Sequence, residues 1–156
     1  MAYGASGTVD TGSPPACRVY NSTGPSIGTG GGLTVLTFDT NRFDPTGMHS
    51  TVTNTSRITI ASPGVYLFTG YCYWANNATG VRRIELRLNG ATFIGSQDVY
   101  PNSSDAGITN VSSLWKCAAN DYVEMGVYQT SGGALSIVAS ASRSPEFSAM
   151  WMGLGT

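Results

Sequence analysis

The sequence predicts an all-β protein, a single antiparallel sandwich without helices. Strand-like runs follow one another at short spacing, and helical periodicity is nearly absent. Between them, 20 glycines and 7 prolines punctuate the 156 residues and mark turns. Apolar residues make up 41% of the chain, enough for one sizeable core in one domain and too many for a disordered chain. The runs fall at 17–22, 33–38, 57–61, 64–75, 82–89, 92–99, 108–117, 121–129, 134–140 and 146–153. Ten strands so spaced point to a sandwich of jelly-roll or immunoglobulin type.

Two of these runs are written differently. In "RRIELRLNG" (82–90), Ile84, Leu86 and Leu88 face one way, and Arg83, Glu85, Arg87 and Asn89 the other. That is a strand with a core face and a wet face, with its charges in water. In "PGVYLFTGYCYW" (63–74), Tyr66, Phe68, Gly70, Cys72 and Trp74 share one face. Val65, Leu67, Thr69, Tyr71 and Tyr73 share the other, and neither carries a charge. Something must cover the second face, either a loop of the same chain or another subunit.

Residues 1–16, "MAYGASGTVDTGSPPA", have neither the basic start nor the apolar stretch of a signal peptide. They read as a flexible or docking N-terminal arm whose sizeable side chains include Tyr3 and Val9, with Pro14-Pro15 holding its exit extended. The sandwich domain then spans 17–156. Charged residues are 11% of the chain and the net charge is -1. The usual charged share is roughly 25%. That balance offers no basic surface for nucleic acid, and no run reaches the roughly 18 apolar residues of a membrane insertion.

Candidate chemistry is sparse. His49 is the single histidine, in the long loop expected around "FDPTGMHS", without a nucleophile-elbow pattern, so it reads as structural and no catalytic residue is expected. Asp39 and Asp44 lack the spacing of a calcium loop and read as turn caps, so no metal or cofactor is expected. "GTGGG" (28–32) precedes a strand and lacks the Lys-Ser/Thr of a phosphate loop. Cys17, Cys72 and Cys117 lack metal-type spacing and read as buried free thiols. Glycosylation sequons stand at Asn21, Asn54, Asn77, Asn102 and Asn110 and are discounted without a signal peptide. Trp74, Trp115 and Trp151 sit at core-compatible strand phase, which sets core against sugar stacking as the expectation.

Three anchors carry a resemblance. Gly64-x-Tyr66-x-Phe68 after Pro63, "NDYVEM" (120–125) and "EFSAMWM" (146–152) are similar, in order and spacing, to motifs of the complement 1q and tumour necrosis factor jelly roll. The resemblance covers residues 17–153, with Gly70 in place of a second aromatic, Asn120 in place of Gly and Ala149 in place of Gly. It implies a ten-stranded antiparallel jelly-roll β-sandwich assembled as a homotrimer around an inner sheet. Tyr66, Phe68, Cys72, Trp74, Trp115 and Phe147 would then fill the core. Leu67, Thr69, Tyr71 and Tyr73 would form the trimer interface. The strands of Cys72 and Cys117 would be neighbours, which implies thiols close together and reduced.

A narrower resemblance, in "FDTNRFDPTGMHSTVTNTSRITIASPGVYLFTG" and "NATGVRRIELRLNG", is to bacteriophage virion proteins of head, fibre and tail. It implies a non-enzymatic structural knob on the virion, assembled in the host cytoplasm. The arm would attach it to a major capsid or tail protein. The other reading is a tail-fibre tip that binds a host-surface glycan or receptor.

Overall fold

The computed structural model describes residues 12–102 and 106–155. The arm's Tyr3 and Val9 lie outside the described residues. Among those described there is no helix, and twelve strands form rather than ten. They are β1 (Ala16–Tyr20), β2 (Ser26–Ile27), β3 (Thr34–Val35), β4 (Thr40–Phe43), β5 (Arg57–Thr59), β6 (Gly64–Asn76), β7 (Arg82–Leu88), β8 (Thr92–Val99), β9 (Ala106–Cys117), β10 (Tyr122–Gln129), β11 (Leu135–Ser136) and β12 (Glu146–Gly153). The two extra strands, β2 and β4, are too short or too polar to show period-two alternation. Part of the expected long loop is therefore the edge strand β4, which pairs with β1.

Two antiparallel sheets face each other. One runs β4-β1-β12-β6-β9, and the other β3-β10-β7-β8, with β5 pairing β10 alongside β3. The apolar strand at 64–76 and the charged strand at 82–88 thus lie in different sheets. Between the sheets, Tyr66, Phe68, Cys72 and Trp74 are fully buried. Phe147 packs at 5.8 Å from Phe38 and 6.4 Å from Phe68, between ring centroids. The Trp74 indole N–H donates to the Thr109 hydroxyl at 3.1 Å, so the buried ring leaves no polar atom stranded. Trp115 and Trp151, expected in the core, are only half-buried and pack against its rim. Each sits near the sheet end, where the sandwich opens.

Motif positions acquire physical reasons. Gly64 has φ +154°, and a Cβ there would lie 2.2 Å from Trp151 Nε1. The Gly-x-Tyr-x-Phe glycine is therefore the floor on which Trp151 rests. Gly70 stands where an aromatic is expected because Met125 comes across from β10, its Sδ 2.4 Å from where a Cβ would be. Asn120 has φ +71°, a left-handed conformation asparagine tolerates, so it can replace glycine in the turn before β10.

The charged strand departs from expectation. Glu85 is buried beneath Arg87, whose Nε donates to it at 2.5 Å. Arg82 shares the core phase and is fully buried, its guanidinium donating to the carbonyls of Asn77, Thr79 and Val81. A period-two pattern marks it as a misfit, and the carbonyls of the preceding turn supply what the pattern cannot show.

All three cysteines are buried free thiols. Their expected proximity is corrected. β6 and β9 are neighbours, but Cys117 pairs with Gly64 and Cys72 with Thr109. Eight residues of strand separate the two levels, roughly 26 Å at about 3.3 Å per residue. Antiparallel pairing sends the two cysteines to opposite ends.

The Gly64→Ala substitution should destabilise the fold by about 1–3 kcal/mol in chemical denaturation, through overpacking against Trp151. In a Trp151→Ala background the same change should cost clearly less. A second expectation concerns alkali. Burial pushes the Cys17 thiol up to about 12, with the Asp44 charge adding to it, from 9.0. Burial likewise pushes Cys117 up to about 11. The unfolded chain then loses these protons first, so their contribution to stability is intact below about pH 9 and is lost as pH rises towards the folded values. Melting temperature should hold to pH 8 and fall above pH 9, less steeply in Cys17→Ala.

Candidate functional site

The face of β4-β1-β12-β6-β9 turned away from the core is the molecule's unusual surface. β6 alternates along its length, so Leu67, Tyr71 and Tyr73 emerge half-buried and Thr69 exposed on this outward side. All four expected interface residues therefore share one face.

Register arranges the face in rows. Ala16 pairs with Met150, Met150 with Leu67 and Leu67 with Leu114, giving an apolar row across four strands. Met150 is 50% exposed and Leu114 61%. Beside the row, towards the chain's end, Met152 and Leu154 are also exposed. The next row is small and polar, with Ser148, Thr69 and Ser112 side by side, and Arg18 at its β1 end. The hydroxyls of Thr69 and Ser148 lie 2.6 Å apart. A third row carries Tyr20, Glu146, Tyr71 and Asn110. Beyond it Tyr73 pairs with Ile108.

The small second row lies low between taller neighbours and makes a trench of about 620 Å³. Its lining includes Arg18, Thr69, Ser112, Asn110, Gln97 and Glu146. The Gln97 carbonyl oxygen accepts the Asn110 backbone N–H at 2.7 Å, so a β8 side chain reaches onto the β9 edge. At its Arg18 end the trench opens into a second depression bounded by Tyr71, Ser142, Arg143 and Glu146.

Charge concentrates there. The Nε groups of Arg18 and Arg42 each donate to a different oxygen of Glu146, both at 2.6 Å. Arg42 lies over the Tyr20 ring and Arg143 over the Tyr73 ring, each 4.4 Å from the centroid. Burial pushes the Tyr71 phenol up, against the pull of Arg143, so it remains a donor. Two arginines thus share one carboxylate, and a third, Arg143, borders the same depression. On the other sheet every pair is one to one: Arg57 with Glu124, Arg83 with Asp98, and Arg87 with Glu85. Arg18, Arg42, Arg143 and Glu146 were not legible as a group, because the β1–β12 and β1–β4 pairings that unite them span most of the chain.

Residues weighed for chemistry serve the fold. The Asp44 carboxylate accepts the backbone N–H groups of Met48 and His49 at 2.8 and 2.9 Å. Asp39 accepts the backbone N–H and hydroxyl of Ser22. His49 is buried, its ring nitrogens 2.8 Å from Asn41 Oδ1 and 3.1 Å from the Thr55 carbonyl. Asn21 is buried too, its Oδ1 accepting from Thr23 and Gly24.

Glu146→Gln should lower stability by roughly 1 kcal/mol, since both arginines lose a charged acceptor that is itself mostly buried. Added salt should shrink the difference in melting temperature, Arg18 and Arg42 being partly exposed.

No protein-family model matches the chain, and no curated protein matches it in sequence. Solved structures do. The globular domain of zebrafish complement 1qA superposes with a TM-score of 0.64 at 16% identity, over 90% of this chain and 99% of that one. Murine APRIL at pH 8.0 gives 0.66 at 7% identity, over 88% and 99%. Eiger TNF from S. frugiperda gives 0.61 at 13% identity, over 92% and 96%. Likeness of this extent at such low identity shows a shared fold, the jelly roll of complement 1q and tumour necrosis factor domains.

Proposed function

We propose that this chain is a non-enzymatic bacteriophage virion protein, a homotrimeric jelly-roll knob displayed on the head or tail and attached through its N-terminal arm. The observation that carries the trimer is the apolar row Ala16–Met150–Leu67–Leu114 on the outward face. Apolar side chains lined up across four strands mark an interaction surface. A stable interface buries about 800 Å² per partner, which a sheet face of this length can supply. The virion setting is supported by the resemblance of residues 38–70 and 77–90 to phage virion proteins. A non-enzymatic role is supported by the use of His49, Asp39 and Asp44 in loop closure. The knob would act by rigid display, with three chains locked at the inner sheets. A second reading, a glycan- or receptor-binding fibre tip, is favoured by the polar trench and its arginines.

Light scattering at micromolar concentration should give about three times the 16.3 kDa chain mass. Leu114→Asp should give single chains with an unchanged β-type circular dichroism spectrum. A native protein at the single-chain mass overturns the trimer. Deleting residues 2–13 should leave the three-chain assembly nearly as stable and abolish attachment to virus particles. Full occupancy by the truncated chain would move the anchor to the base of the jelly roll.

A further inference from the structure

We propose that Asn89–Gly90 is a self-modification site that folding keeps shut. In the unfolded chain Asn89 converts to aspartate or isoaspartate, and in the folded one a clasp on its side chain holds the conversion back. The pair forms the turn between β7 and β8, on the sheet opposite the proposed trimer face, and both residues are exposed.

The chemistry follows from the dipeptide and needs only base and water. The Gly90 backbone nitrogen loses its proton and bonds to the Asn89 side-chain carbon Cγ. The bond from Cγ to Nδ2 breaks, and the amide leaves as ammonia, taking up that proton. Water then opens the resulting cyclic imide at one of its two carbonyls, giving aspartate or isoaspartate. Glycine obstructs the attack least, having no side chain beside the nitrogen. This is the one Asn-Gly pair in the sequence. The fold itself asks for it: Asn89 has φ +53° and Gly90 φ +72°, the tight hairpin turn that favours these two residues.

The neighbouring turn supplies the clasp. Asn89 Oδ1 accepts the Tyr122 backbone N–H at 2.9 Å, and its Nδ2 donates to Asp121 Oδ1 at 2.8 Å. The Asn89 backbone N–H donates to the Tyr122 carbonyl at 2.8 Å. Asp121 is held in turn, its other oxygen accepting the Ala118 N–H at 2.7 Å. The side chain must leave both partners before Cγ can swing to Gly90. Charge adds to the barrier, because a Cβ on Gly90 would lie 3.7 Å from Glu124 Oε2. With Asp121, two carboxylates stand near the turn and disfavour loss of its amide proton. Once made, the product no longer fits. Aspartate at 89 suits the turn but sets a second carboxylate against Asp121, where an amide now donates. Isoaspartate adds a methylene to the backbone and spoils the match between the turn and β10. A chain left unfolded long enough to react thus carries a permanent record of it.

The test holds the whole chain in mildly alkaline buffer, native and in guanidinium chloride, and reads conversion at residue 89 by peptide mapping and ammonia release. Native conversion should be at least roughly tenfold slower, and equal rates overturn the guard. Asp121→Ala, shown to be folded by circular dichroism, should speed native conversion by roughly threefold or more and leave the unfolded rate unchanged. A native rate like that of the parent chain overturns the clasp. A pair of variants reads the same contact without relying on Asp121→Ala to fold. Asn89→Asp should lower the melting temperature, and adding Asp121→Asn should recover part of the loss; no recovery overturns the repulsion. On dilution from denaturant, the refolded fraction should fall with time held unfolded, in step with the fraction converted. Full refolding of converted chains overturns the record.

Discussion

The pairing of β6 with β12 on one side and β9 on the other holds this molecule together. Eleven cross-strand partners join β6 to β9, from Gly64–Cys117 to Asn76–Ala106. That ladder sets the level of every residue on both faces of the sheet. A slip of one residue would exchange Tyr66, Phe68, Cys72 and Trp74 for Leu67, Thr69, Tyr71 and Tyr73. Such a slip would also break the fit of Trp151 over Gly64 and of Met125 against Gly70. Register, inner packing and the pattern of the outer face are therefore one constraint seen from three sides.

Much of the architecture was legible because it is written locally. Period-two alternation within 64–76 and 82–88 assigned two faces to each strand, and turn residues bounded them. The core positions of Tyr66, Phe68 and Trp74 follow from that phase alone. What escaped was non-local. β2 and β4 exist because β11 and β1 offer them edges, so two to four residues gain a strand conformation their own sequence does not demand. The half-exposure of Trp115 and Trp151 depends on where the sandwich ends, which phase does not report. Arg82 reads as an intruder in an apolar register until the turn carbonyls around it are seen.

The outward face was half legible. An apolar second face on β6 can be read from twelve letters, and it asks for a cover. The trench cannot, because its floor is assembled from β12, β6 and β9 and its charges from β1, β4 and the loop before β12. Three arginines separated by up to 125 positions, Arg18 to Arg143, gather only after the fold has closed, Arg18 and Arg42 on one carboxylate and Arg143 beside the same depression. Departures from the family motifs show the same dependence. Gly70 is intelligible through Met125 from the opposite sheet, and Asn120 through the left-handed turn it occupies.

The contact between Gln97 and the Asn110 backbone carries a consequence for solution behaviour. β9 is the outer strand of its sheet, and a long outer strand is a template on which another chain can add. Here a side chain from β8 occupies the Asn110 N–H, and the Ser113 hydroxyl is turned to the Ile94 carbonyl at 2.7 Å. These two bonds lace the borders of the two sheets together and spend hydrogen-bonding groups that an incoming strand would use. A protein built almost wholly of strands thereby gains a hem, which discourages copies from growing edge to edge into fibres.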